Sequence, residues 1–179
     1  MTVLPALAAC RALLGVVFAV AALGKLRGRD RFAAFAATLT ELPWLPARWH
    51  RTVAVAVVSV EIAVAVLLTA PPTVPAGFVL AAGTLAVFTT AVAHALRAGR
   101  ALRCQCFGTD AGTMGTPQLV RNGVLLTVAS CGAVLAVLPG GTAADQAATV
   151  SAAAAGALAG LVLTRWDDLV YLVRPAARH

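Results

Sequence analysis

Residues 62–96 read IAVAVLLTAPPTVPAGFVLAAGTLAVFTTAVAHAL, and no Asp, Glu, Lys or Arg occurs between Glu61 and Arg97. A helix needs about 20 apolar residues to cross a hydrocarbon core, so this run approaches two such lengths. Pro71, Pro72 and Pro75 interrupt it about a third of the way along. Proline lacks a backbone N–H and ends helices, so the stretch reads as two antiparallel spans joined by a short turn. That hairpin decides the fold class.

Outward from it, the remaining charges cut the chain into segments of similar length. The spacing predicts five spans, roughly 4–24, 52–70, 76–96, 119–138 and 146–164, in an all-α, polytopic transmembrane helix bundle that makes up one membrane domain over 1–179. Composition agrees: 60% of the 179 residues are apolar and 12% charged, with a mean hydropathy of +0.88, far from the balance of a water-soluble domain. Scattered glycine and alanine suit close helix contact in lipid. Ser151–Gly160, almost all Ala and Gly, reads as a tightly packed fifth helix.

The net charge of +7 does not point to nucleic acid, because the basic residues sit at span ends and form no stripe with interleaved aromatics. Lys25, Arg27, Arg29, Arg31, Arg48 and Arg51 fall between spans one and two, Arg97, Arg100, Arg103 and Arg121 between three and four, and Arg165, Arg174 and Arg178 after span five. The other two connections carry no Lys or Arg. By the positive-inside rule the N-terminus lies outside, and the C-terminus and the loop after span three lie in the cytoplasm. Residues 1–24 lack the basic start of a secretory signal and read as a retained helix. Trp44, Trp49, Trp166 and Tyr171 suit interfacial anchoring, and Phe32, Phe35 and Leu39 mark an amphipathic segment at the membrane surface.

Cys104-Gln105-Cys106-Phe107-Gly108 places two thiols in the loop between spans three and four. A C-x-C bridge closes a small, strained ring, and strained disulfides exchange readily. Arg103 and Arg121 would stabilise a thiolate, the attacking species in exchange, and Arg121-Asn122 could hold the loop through its carbonyls. The alternatives are a pair of unreactive thiols, or a soft metal site completed by His94, which is short of the usual four ligands.

Cys10 and Cys131 fall at similar depths toward the outer ends of spans one and four, where they form a candidate second thiol pair or serve as small apolar residues. They lie on the order of 20 Å from the first pair in a core about 30 Å thick. Glu61 sits mid-span, costly enough there to be a functional candidate, and Arg11 is its expected ion-pair partner. Lys25 is expected to snorkel to the inner interface.

Arg11 through Leu14-Gly15, Phe18, Gly24-Lys25-Leu26, Glu61, the C-x-C-F-G run and Arg121-Asn122 together resemble the MauE methylamine-utilisation family, related to DoxX-like membrane proteins. The likeness extends over most of the first 140 residues. It implies a four-helix DoxX-like core, here with a fifth helix, that assists maturation of a secreted, disulfide-rich protein alongside a thioredoxin-like partner. The expected activity is thiol–disulfide exchange at Cys104 and Cys106. No resident cofactor is expected, with a quinone or a transient metal left open. The partners are the lipid bilayer, a thioredoxin-like protein and an extracytoplasmic client. Two rival readings are a non-enzymatic membrane chaperone or metal-binding scaffold, and a small transporter built on Arg11 and Glu61.

Overall fold

The computed structural model describes residues 3–41, 46–97, 116–138 and 146–165. Among the described residues, six α-helices follow one another: α1 (Val3–Leu26), α2 (Arg29–Thr38), α3 (His50–Leu67), α4 (Val74–Arg97), α5 (Thr116–Val137) and α6 (Gln146–Thr164). All but α2 are long and apolar enough to cross a membrane. The protein is an all-α polytopic membrane bundle, and the five spans lie within a few residues of those read from the sequence.

The proline-rich turn behaves as its composition dictates. Pro71–Thr73 form one 3₁₀ turn between α3 and α4. The Thr73 hydroxyl donates to Leu67 O at 2.7 Å and Ala70 O at 3.0 Å, satisfying carbonyls freed where α3 stops. Hydroxyls within the spans also bond locally: Thr84 donates to Leu80 O and Thr89 to Leu85 O. In hydrocarbon no water is available to do this.

Packing is organised around α1, which touches α3, α5 and α6, while α4 touches α3 and α5. Leu14, Val17 and Phe18 of α1, Val64 of α3, Phe78, Ala81 and Leu85 of α4, and Leu125 and Ala129 of α5 form one buried cluster. Phe78 fills the gap left by Gly132, where an added Cβ would collide with its ring. Outward faces are apolar too, with Val79, Val87, Val134 and Leu158 all exposed, the surface that acyl chains cover.

The fifth span, α6, lies against α1. A Cβ on Gly156 would overlap the Ala9 carbonyl, and one on Gly160 would sit 2.7 Å from Leu13 O. The two glycines lie one turn apart on one face, and their missing side chains let the backbones approach.

Helix α2 is the predicted amphipathic segment. Its Phe35 is buried with Ala54 and Val58 of α3, and Phe32 and Leu39 pack alongside. The short helix thus covers the first turns of α3 and the end of α1.

Candidate functional site

The core-facing stripe of α1 runs Leu14, Phe18, Ala21 and Lys25, residues separated by three or four positions and all buried. Along α3 the same role falls to Ala54, Val58, Glu61 and Val64. On α5, Leu125 and Ala129 continue from Arg121 and Asn122, which are also buried. The α1 and α5 stripes are therefore polar only toward one end of the bundle, whereas on α3 Glu61 interrupts an otherwise apolar stripe near its middle. Lys25, Arg121 and Asn122, joined by Glu61 from the middle of α3, make up a polar level toward the end where residues 98–115 connect α4 to α5.

Its best-defined element is an ion pair. Lys25 Nζ donates to Glu61 Oε1 at 2.6 Å, with 2% and 4% of the two side chains exposed. The ammonium also approaches Ala21 O at 3.4 Å and lies 4.9 Å above the centre of the Phe35 ring, a cation–π contact. Glu61 Oε2 is buried and accepts no hydrogen bond among the described residues.

This arrangement corrects two expectations. Lys25 does not snorkel: its ammonium is buried, bonded to Glu61 and covered by the Phe35 ring of α2. Glu61 is not paired with Arg11. Instead, Arg11 Nε donates to Leu68 O at 3.0 Å and Nη2 to Thr69 O at 2.9 Å. α3 ends at Leu67, leaving its last carbonyls to attract a cation. They lie about 10 Å of helix rise beyond Glu61, too far for Arg11 to serve both. The signal for Lys25 was present in the sequence, since it continues the Leu14–Phe18–Ala21 stripe rather than the exposed face marked by Leu23 and Leu26.

Cys104, Cys106 and Arg103 lie outside the described residues, as do Trp44, Trp166 and Tyr171. The structure describes where their loop is anchored: α4 ends at Arg97 and α5 begins at Thr116, with Pro117 in its first turn. Arg121 and Asn122 follow within the next turn, facing the core. His94 is exposed. Among the described residues, no three His, Cys, Asp or Glu side chains gather so as to hold a metal ion.

At the opposite end, Cys10 packs against the buried cluster and Cys131 is exposed, both with free sulfurs. The helices that carry them are in contact.

The family profile for methylamine utilisation protein MauE matches residues 3–138. The chain belongs to the MauE family. The matched region takes in α1–α5, and α6 lies beyond it. No curated protein and no solved structure matches the chain. As a MauE-family member with five apolar spans, this is a multi-pass membrane protein. The Lys25–Glu61 pair, Arg121, Asn122 and both anchors of the C-x-C loop all belong to the matched region.

Proposed function

We propose that this MauE-family protein performs thiol–disulfide exchange in the maturation of an extracytoplasmic protein, with Cys104 and Cys106 as the exchanging pair and a thioredoxin-like protein as partner. The observation that supports this reading most is the buried, cationic Arg121 beside Asn122, just inside the helix that receives the C-x-C loop. A positive charge and a helix N-terminus both favour a nearby thiolate.

The thiolate of one cysteine attacks the partner's disulfide, forming a mixed disulfide and releasing one partner thiolate. The second cysteine attacks the mixed disulfide, releases the other thiolate and closes the C-x-C bridge. Two electrons pass from the cysteine pair to the partner, and the reverse sequence reduces the pair. With the N-terminus outside and the loop cytoplasmic, a cytosolic thioredoxin-like dithiol is the matching electron donor. Arg27, Arg29, Arg31, Arg48 and Arg51 keep the charge asymmetry behind this orientation, even though Lys25 and Arg121 are buried inside the bundle.

Labelling with a membrane-impermeant maleimide tests both parts, using protein that carries Cys10→Ser and Cys131→Ser. Labelling in inverted vesicles that rises after mild reduction is expected. Labelling in intact cells would reverse the orientation, and labelling indifferent to reductant would remove the redox role. Cys104→Ser and Cys106→Ser should each abolish client maturation while the bundle still assembles.

A further inference from the structure

Glu61 lies about 9 Å of helix rise from Leu67 and about 16 Å from His50, well inside α3, and its two carboxylate oxygens have different surroundings. Oε1 takes the 2.6 Å bond from Lys25 Nζ. Oε2 is buried and accepts no hydrogen bond among the described residues. Helices α1, α2 and α4 pack against α3. Apart from Lys25, the buried side chains they contribute among the described residues are hydrocarbon, Phe18, Ala21, Phe35, Ala81 and Leu85 among them. Thr84 and Thr89 of α4 direct their hydroxyls to carbonyls of their own helix.

A buried carboxylate oxygen with no donor is costly, because burial strips away the water that solvated its charge. Lys25 already serves the other oxygen, and its ammonium sits 3.4 Å from Ala21 O and 4.9 Å from the centre of the Phe35 ring. No described residue supplies the donor for Oε2. The group that does so is small, since only 2% of the Lys25 side chain and 4% of the Glu61 side chain are exposed. It is neutral, since Lys25 and Glu61 already balance each other's charge. Water meets both conditions, and buried waters characteristically sit on polar groups the chain leaves unsatisfied.

We propose that Glu61 Oε2 binds a water molecule within the membrane, making Lys25–Glu61 a hydrated ion pair closed over by Phe35. The water donates one hydrogen to Oε2, and the Ala21 carbonyl, loosely held by the ammonium, is the acceptor at hand for the other. Solvated on one oxygen and paired on the other, the carboxylate stays charged at this depth.

The test compares two sources of hydroxyl radical on the full chain, read by mass spectrometry. X-ray radiolysis makes the radical from a bound water where it sits; peroxide photolysis makes it in bulk solvent. Radiolysis should add oxygen to Phe35, although the residue is only 4% exposed, and should leave Phe78, at 0%, unmodified. Peroxide photolysis should mark the exposed Trp49 and spare Phe35. Combining Lys25→Leu with Glu61→Leu should bring radiolytic oxidation of Phe35 down to the level of Phe78. A Phe35 as silent as Phe78 under radiolysis, equal marking of Phe35 by both radical sources, or undiminished marking in the double variant would each overturn the proposal, and the first two need no variant.

Discussion

Lys25 and Glu61, 36 positions apart in the chain, meet at 2.6 Å with almost no exposed surface. The pair ties the C-terminal end of α1 to the middle of α3, and Phe35 of α2 closes over it. Removing one partner of a buried pair leaves the other charge uncompensated, at a cost of about 3–5 kcal/mol, whereas replacing both with apolar residues costs far less. Glu61→Met and Lys25→Met should therefore each lower thermal stability of the detergent-solubilised protein strongly, and the double variant should recover most of the loss. Additive losses in the double variant would show that the contact contributes nothing as a pair.

Arg11 has a different task, and its variants should separate from those of Glu61. Losing its bonds to the Leu68 and Thr69 carbonyls should cost about 1–2 kcal/mol. Arg11→Met should loosen the α3–α4 turn, seen as faster hydrogen exchange at residues 66–73, with the Lys25–Glu61 end unaffected. Arg11→Lys should restore part of the protection. A transporter built on an Arg11–Glu61 pair would instead have the two residues fail together.

Phe35 is the seal over the polar level. Truncating a buried phenylalanine typically costs about 3–5 kcal/mol. Phe35→Ala should release α2 from Ala54 and Val58, open the 27–41 segment to protease in vesicles of whichever orientation exposes it and admit water to Lys25. Unchanged cleavage would show that α2 holds its place without this ring.

Attachment of α6 depends on two absent side chains. Gly156→Leu or Gly160→Leu should detach α6 from α1, leaving a bundle of α1–α5 that still inserts but shows proteolysis around residues 139–145. Gly15→Ala is the control: its new methyl group meets nothing within 4 Å, and alanine is favoured over glycine in a helix by about 1 kcal/mol. Full stability in both leucine variants would mean that α6 is held by other contacts.

How much of this was legible in advance depends on the range of the interaction. The spans were readable because hydrocarbon imposes one requirement on every segment that crosses it, an unbroken apolar length with its backbone bonded internally. Pro71, Pro72 and Pro75 mark the hairpin turn for an equally local reason. Phe32, Phe35 and Leu39 announced α2 through their spacing, and the glycines of α6 announced close packing without naming α1 as the neighbour.

By itself, then, the sequence determined the membrane class, the five spans, the proline turn and the kinship carried by its motifs. Which charges meet was decided only by the tertiary structure. Depth along a helix follows from counting residues, but ion pairing depends on where neighbouring helices end and what covers them. α3 stops at Leu67, so its bare carbonyls take Arg11. α2 packs on α1 and α3, so Phe35 covers Lys25 and the ammonium turns to Glu61. A buried charge takes the nearest partner the packing offers, and the neighbour that supplies it can lie anywhere in the chain.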